Sequence, residues 1–278
     1  MYSRFILGVA AAMVAGAVST NPASAGKVFD KIRDTGKLRA CIKVDYPPFG
    51  FLDASGKKIG LEHDLLADIV RQMEAKFGKK IEVDKIKVIA ANRIQFLKVG
   101  KCDLLIATMT DKLERQKLIN IIKPNYYSSG VNLLAKKSVK IKSWDDIRGQ
   151  TICTSQGAFW NKEYRKRYDL NLLGFAGIAE TEQALRDGRC IAMTSDDSLI
   201  NSRLQNKERW GDYEMKVETQ DDAPWGMAIQ HGDNELWDFL SLVVAHWHRD
   251  GVIVGLEKKW GMTPTKFVRE MNERYMNR

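Results

Sequence analysis

The sequence has few prolines and, after residue 25, no long hydrophobic run. Six prolines in 278 residues exclude collagen-like chains, and the lack of apolar runs excludes a protein with several membrane spans. No block of Lys and Arg exceeds three residues, and 35 acidic residues offset 44 basic ones, so nucleic acid is not expected as a partner. The 44% hydrophobic and 28% charged residues are typical of a globular protein with a sizeable core.

Catalytic and metal-binding motifs are also lacking. The four histidines form no HExxH pattern, and the four cysteines form no CxxC pair. No Walker-type loop, dinucleotide-binding glycine pattern or nucleophile-elbow serine occurs. We therefore expect no metal, no cofactor and no catalytic residue. By elimination, the sequence favours a binding protein over an enzyme.

The first 25 residues have the three parts of a secretory signal peptide. Arg4 provides the positive charge, residues 5–18 form a short apolar run, and Ala23-Ser24-Ala25 is a small-residue cleavage site. The run is short for a membrane-spanning helix, which disfavours the alternative of an uncleaved anchor. We predict cleavage after Ala25 and a periplasmic protein. Removing Arg4 lowers the formal net charge from +9 to +8.

Beyond this segment the pattern alternates apolar strands with amphipathic helices, which is typical of β-α units around a mainly parallel sheet. The pattern runs once through residues 38–136 and starts again near residue 144. In the first part, Gly100-Lys101-Cys102 connects a predicted helix to a predicted strand. In the second part, Gly188-Arg189-Cys190 connects a helix to a strand in the same way. The sequence therefore predicts an α/β protein of two similar lobes.

Several blocks resemble, in order, those of one known family. They are residues 36–51, 92–94, 100–103, 107–117, 126–130, 149–152, 188–196, 250–251 and 259–261. Together they are similar to the extracytoplasmic solute-binding proteins of polar amino-acid ABC transporters, closest to the glutamate/aspartate-binding branch. The resemblance covers nearly all of the chain after the signal peptide.

The resemblance implies the type II periplasmic-binding-protein fold, two lobes joined by a two-segment hinge that closes around the ligand. Lobe one would comprise residues 26–127 and 225–278, and lobe two the inserted residues 128–224. The implied partners are an amino acid and the membrane permease subunits of an ABC transporter, and the protein would act as a monomer. A ligand would lie at the carboxyl ends of the strands, where Ser155 also falls.

The matching positions imply a site for a zwitterion. Arg115 would bind the α-carboxylate, Thr108 and Thr110 would add donors to it, and Asp196 would bind the ammonium. Tyr46 would pack its ring over the ligand. Taken alone, Arg115 is also compatible with a solvated helix face, Asp196 with a helix N-cap and Tyr46 with loop packing.

Two more bases bear on the ligand's side chain. Arg93 matches an arginine of the glutamate/aspartate branch, and Lys43 lies where that branch carries arginine, so together they would pair with a second carboxylate. Arg93 has an alternative role as a structural partner of Glu62 or Asp45. The chain departs from the branch at three positions that are polar there, namely Ala90, Ala158 and Ile178. We rank acidic amino acids first and other polar amino acids second.

Two alternative functions stay open at this point. An enzyme on the same scaffold, similar to cyclohexadienyl dehydratase, would need a general acid, for which the C-terminal segment offers only Lys258, Lys259 and acids near Glu257. A ligand-loaded sensor partner of a membrane receptor is the other alternative.

The cysteines have two interpretations. Cys41 and Cys102 fall on neighbouring predicted strands of lobe one, and Cys153 and Cys190 on neighbouring strands of lobe two. Export permits disulfides. Lining up the strand ends, however, offsets each pair by about three residues, roughly 10 Å, against the 7 Å that a disulfide allows. Two bridges and four free thiols are therefore left as alternatives.

Overall fold

A computed structural model describes residues 27–277, so the predicted signal peptide and its cleavage site lie outside the described residues. Within that range no helix combines the length and the apolar character needed to cross a bilayer.

The helices are α1 (Val28–Thr35), α2 (Leu61–Phe77), α3 (Arg93–Lys98), α4 (Leu113–Gln116), α5 (Asn161–Arg167), α6 (Ile178–Arg186), α7 (Asp197–Gln205), α8 (Lys207–Trp210), α9 (Asn234–Arg249), α10 (Val252–Lys259) and α11 (Lys266–Met276), with a 3₁₀ turn at Trp144–Ile147. The strands are β1 (Lys37–Ile42), β2 (Asp45–Tyr46), β3 (Gly50–Leu52), β4 (Lys58–Ile59), β5 (Glu82–Lys87), β6 (Leu104–Ile106), β7 (Asn120–Ile121), β8 (Tyr127–Lys136), β9 (Thr151–Ser155), β10 (Asn171–Phe175), β11 (Ala192–Asp196), β12 (Tyr213–Met215), β13 (Gln220–Trp225) and β14 (Ala228–Ile229).

Lobe one is built on a sheet of order β5-β1-β6-β14-β7. Strand β1 pairs in parallel with β5 and β6, while β14, from the C-terminal part of the chain, pairs antiparallel with β6 and β7. Helix α2 has an apolar face toward the core, since Leu65, Ile69 and Met73 are fully buried. Each such side chain contributes about 1.5–3 kcal/mol by leaving water.

Lobe two is built on a second sheet of order β10-β9-β11-β8-β12, with β13 also paired to β8. Strands β10, β9 and β11 are parallel, whereas β8 pairs antiparallel with β11, β12 and β13. Both sheets are therefore mixed, with more antiparallel pairing than the sequence pattern indicated. Strand alternation does not distinguish the two pairings when a strand is buried on both faces, as β8 is.

Two chain segments cross between the lobes next to each other. The Tyr126 amide donates to the Trp225 carbonyl at 3.0 Å, and the Gly226 amide donates to the Met109 carbonyl at 2.9 Å. Phe49 of lobe one packs edge-on against Tyr127 and Trp225, with ring centroids 5.1 and 4.8 Å apart. The crossing is therefore buried among aromatic rings.

Each lobe contains one disulfide. Cys41 is bonded to Cys102 and Cys153 to Cys190, with Cα atoms 5.6 and 5.7 Å apart. The strand register does place Cys41 opposite Leu105, three residues beyond Cys102. The estimate of 10 Å was nevertheless wrong, because Cys102 and Cys190 lie before their strands, where the chain is not extended.

Candidate functional site

The ends of four strands meet in a cleft between the lobes. Lys43 follows β1, Thr108 follows β6, and Ser155 and Asp196 are the last residues of β9 and β11. Within each sheet the parallel strands present their carboxyl ends at the same edge, β1 with β6 and β9 with β11, and residues of both edges line the cleft. The residues that line the cleft are Lys43, Tyr46, Ala90, Arg93, Thr108, Thr110, Ser155, Ala158, Phe159, Trp160, Ser195 and Asp196. Seven of the eight residues expected at the site are among them, and the eighth, Arg115, lies behind Thr110.

The two walls of the cleft are in contact. The space between them is about 30 Å³, enough for one or two water molecules but too small for an amino acid. Gly157 of lobe two lies against Ala90 of lobe one so closely that an added Cβ would be 2.7 Å from the Ala90 carbonyl. Its φ of 77° also favours glycine. Close approach of the lobes here depends on a residue without a side chain.

Tyr46 connects the walls directly. Its hydroxyl donates to Asp196 Oδ2 and lies 3.2 Å from Ser195 Oγ, and all three residues are buried. Lys43 Nζ lies over the same ring, 3.6 Å from its centroid. The ring is thus held between a cation and a carboxylate, and its hydroxyl uses one of the acceptor atoms that Asp196 offers to the cleft.

Burial shifts the charged groups of the cleft toward their neutral forms. It lowers the pKa of Lys43 to about 8, with a further contribution from the charge of Arg93. It raises the pKa of Asp196 to about 6, against the opposing effects of the Tyr46 hydrogen bond and of Lys43. The pKa of Arg93 falls to about 10 through burial and the nearby charge of Arg115. Groups whose charged forms are destabilised by burial in this way are common at binding and catalytic sites.

Arg93 is buried and held by backbone oxygens. Its Nη1 donates to the carbonyls of Ala107 and Thr108, the latter at 3.0 Å. Arg93 forms no hydrogen bond with Glu62 or Asp45, the structural partners that the sequence left as alternatives, but the charge of Glu62 attracts it and raises its pKa against the effect of burial. Its Nε is buried without a partner among the described residues. Arg93 is also one of the residues that line the cleft.

Arg115 is buried rather than solvated, with 8% of its surface exposed. Its Nη1 donates to the Thr110 carbonyl at 2.9 Å in lobe one, and its Nη2 donates to the Gly157 carbonyl at 3.4 Å in lobe two. Burial lowers the pKa of Arg115, against the opposing charges of Glu114 and then of Asp196. Its bond to Thr110 places the guanidinium beside the cleft, whose lining includes Thr110 and Asp196. The weaker 3.4 Å bond is the one that a carboxylate would most readily replace.

The sequence did not identify several residues of the site. Phe159 and Trp160 supply its apolar wall, and Ser195 contacts Tyr46. Glu62, considered only as a partner of Arg93, instead accepts a hydrogen bond from the Thr108 amide. The Phe-Trp pair that begins two residues after Gly157 was a usable signal for the apolar wall. The Glu62 contact depends on two segments that are far apart in sequence.

No group of three His, Cys, Asp or Glu side chains within residues 27–277 is arranged to hold a metal ion. Glu257, the acid considered for an enzyme, lies outside the cleft and accepts hydrogen bonds from the amide and hydroxyl of Thr265.

The chain is similar to several known amino-acid-binding proteins. A glutamine-binding protein of Geobacillus stearothermophilus is 30% identical over 215 residues, which cover 76% of this chain and 79% of the relative. A glutamate/aspartate import solute-binding protein of Salmonella typhimurium is 25% identical over 94% of this chain and 88% of its own. The crystal structure of an ancestral amino acid-binding protein, a precursor of cyclohexadienyl dehydratase, has the same fold, with a TM-score of 0.74, 24% identity, and coverage of 84% of this chain and 99% of that one.

These comparisons confirm the type II periplasmic-binding-protein fold and the resemblance to solute-binding proteins of polar amino-acid ABC transporters. Residues 38–263 match the family model of the bacterial extracellular solute-binding proteins, family 3. The chain therefore belongs to that family.

Proposed function

We propose that this protein is the periplasmic substrate-binding component of an amino-acid ABC importer and that it binds an acidic amino acid between its lobes. The observation that carries the proposal is the charge of the cleft. Lys43 and Arg93 of lobe one line the cleft together with Asp196 of lobe two, and Arg115 lies beside the lining residue Thr110. Such a site would neutralise a small guest that carries charges of both signs.

The α-carboxylate would bind Arg115. A guanidinium offers two parallel N–H donors to a carboxylate. One of these donors, Nη2 of Arg115, forms only the long bond to the Gly157 carbonyl. The hydroxyls of Thr108 and Thr110 line the same side of the cleft and would complete the carboxylate's hydrogen bonds.

The ammonium would bind Asp196. A buried carboxylate whose pKa is raised to about 6 is stabilised when a cation replaces the lost water. The Tyr46 hydroxyl would give way to the ammonium, while its ring would stay in contact with the ligand. Ser155 and Ser195 would supply neutral acceptors beside Asp196.

The side-chain carboxylate of an acidic amino acid would pair with Arg93 and Lys43. The lining holds two cations, Lys43 and Arg93, against one carboxylate, Asp196, which favours a guest with negative net charge. The relative that is named for glutamate and aspartate import supports this assignment, and the relative named for glutamine supports the second choice of a neutral polar amino acid.

Entry of the ligand requires the walls to separate. We propose that the lobes comprise residues 26–127 with 225–278, and 128–224, and that they open about the crossing segments near Tyr127 and Trp225. A ligand held by Arg115 and Asp196 would then favour closure, because it contacts both lobes. The closed monomer would deliver the ligand to permease subunits in the membrane.

Isothermal titration of the mature protein with each of the twenty amino acids tests the proposal. We expect L-glutamate or L-aspartate to bind with micromolar affinity or better, about −8 kcal/mol or below, and neutral amino acids to bind more weakly. Absence of binding heat with all twenty would contradict an amino-acid carrier. Incubation with prephenate or arogenate, which we expect to remain unchanged, tests the dehydratase alternative.

A further inference from the structure

Glu62 is a fully buried carboxylate beneath the cleft. It is the second residue of α2, and none of its surface is exposed. An ionised side chain in such a position is costly unless its oxygens accept hydrogen bonds. Its partners therefore indicate what the residue does.

One oxygen of Glu62 accepts two hydrogen bonds. The Thr108 amide donates to Oε1 at 2.5 Å, and the Tyr126 hydroxyl donates to the same atom. Oε2 has no partner in the part of the chain that the structure describes. Glu62 thus connects α2 to the residue that follows β6, at the centre of the cleft wall.

Thr108 has an unusual backbone conformation. Its φ is 45°, in the left-handed region that a β-branched residue rarely adopts. Such strain persists only where the surroundings hold the residue in place, and it concentrates at functional sites. The bond from the Thr108 amide to Glu62 holds this peptide from below, and the Tyr126 hydroxyl lies beside the same amide.

The strained backbone at Thr108 orients Arg93. The carbonyls of Ala107 and Thr108 both accept from Arg93 Nη1, and Arg93 reaches the cleft from that position. If Thr108 relaxed to an ordinary conformation, its carbonyl would rotate and one of these two bonds would be lost. Glu62 is therefore linked to Arg93 through the backbone of Thr108.

We propose that Glu62 is a positioning residue for ligand specificity: by holding Thr108 in its left-handed conformation, it directs Arg93 toward the side-chain carboxylate of the ligand. This rests on the proposed binding of an acidic amino acid. Loss of the Glu62 acceptor therefore lowers the preference for glutamate over glutamine, because only glutamate uses Arg93 as an ionic partner. A merely structural role would weaken both ligands equally.

The test compares the affinities for L-glutamate and L-glutamine in three variants of the mature protein. Glu62→Leu removes the acceptor, and we expect the glutamate preference to fall about tenfold, the usual effect of losing a charged hydrogen bond. Glu62→Gln keeps an acceptor oxygen and retains the preference. Tyr168→Phe removes a buried hydroxyl's bond to Gln220 outside the cleft, and it changes the preference less than about twofold, within the spread of such effects.

An unchanged preference in Glu62→Leu, or an equal loss in Glu62→Gln, would overturn the proposal. If Glu62→Leu fails to fold, Glu62→Asp replaces it with the same expectation, since the shorter side chain does not reach the Thr108 amide. A crystal structure of the ligand-free variant gives a second readout. We expect Thr108 to leave the left-handed region and Arg93 to lose the Thr108 carbonyl, and an unmoved Arg93 would refute the positioning role even if the wild type bound no amino acid.

Discussion

Replacing Tyr46 by phenylalanine tests how the closed cleft competes with its ligand. The Tyr46 hydroxyl bonds to the carboxylate of Asp196, which is the group that we assign to the ligand's ammonium. The ligand must therefore break this bond before it forms its own. Phenylalanine keeps the ring beneath Lys43 and removes only the competing donor.

The magnitude follows from the kind of bond that is lost. A hydrogen bond to a charged group contributes about 1.5–3 kcal/mol net, and 1.4 kcal/mol is a factor of ten in Kd. We expect Tyr46→Phe to bind L-glutamate at least about tenfold more tightly than the wild type. The ligand-free variant is expected to be less stable by a similar amount, because Asp196 loses a partner while it stays buried.

The assay is isothermal titration at a pH between the pKa values of about 6 for Asp196 and about 8 for Lys43, where both groups are charged. Tyr168→Phe is the matched control, since it also removes a buried tyrosine's hydroxyl bond, to Gln220, but far from the cleft. Weaker binding by Tyr46→Phe would mean that the hydroxyl contacts the ligand directly. Unchanged binding would mean that it does not compete, and either result would refute the reasoning.

Three further predictions concern the cleft and the core. Arg115→Lys is expected to weaken binding about tenfold to a hundredfold in the same titration, because lysine lacks the two parallel donors, and unchanged affinity would contradict the assignment. Affinity is expected to be highest between about pH 6 and pH 8, because Asp196 takes up a proton below this range and Lys43 loses one above it. An affinity that does not change with pH would contradict both roles. Replacing Cys153 and Cys190 together by serine opens a loop with a sequence separation of 37 residues, and urea denaturation is expected to show a loss of about 4 kcal/mol, whereas an unchanged midpoint would exclude the bridge.

The sequence predicted the parts of the site that follow from strand order. Lys43, Thr108, Ser155 and Asp196 each end or follow a strand, and parallel strands bring their carboxyl ends to one edge. That Arg115 is buried was not predictable from its polar neighbours, because its burial depends on contact with Gly157 across the cleft. The resemblance to the family, rather than the local sequence pattern, predicted Arg115 as a site residue.

Other features depend on tertiary contacts that local patterns do not encode. Tyr46 was expected to pack over a ligand, and its bond to Asp196 arises only because the lobes meet. The role of Glu62 depends on a contact between α2 and the turn after β6, 46 residues apart. The sequence left the disulfides undecided. Counting residues along extended strands overestimates the distance between two cysteines when the chain bends before a strand.

A crystal structure of the mature protein with L-glutamate tests the central claim most directly. The account predicts the α-carboxylate within hydrogen-bond distance of Arg115 in lobe one, and the ammonium within hydrogen-bond distance of Asp196 in lobe two. A ligand that contacted only one of these residues, or that lay outside the cleft, would contradict it.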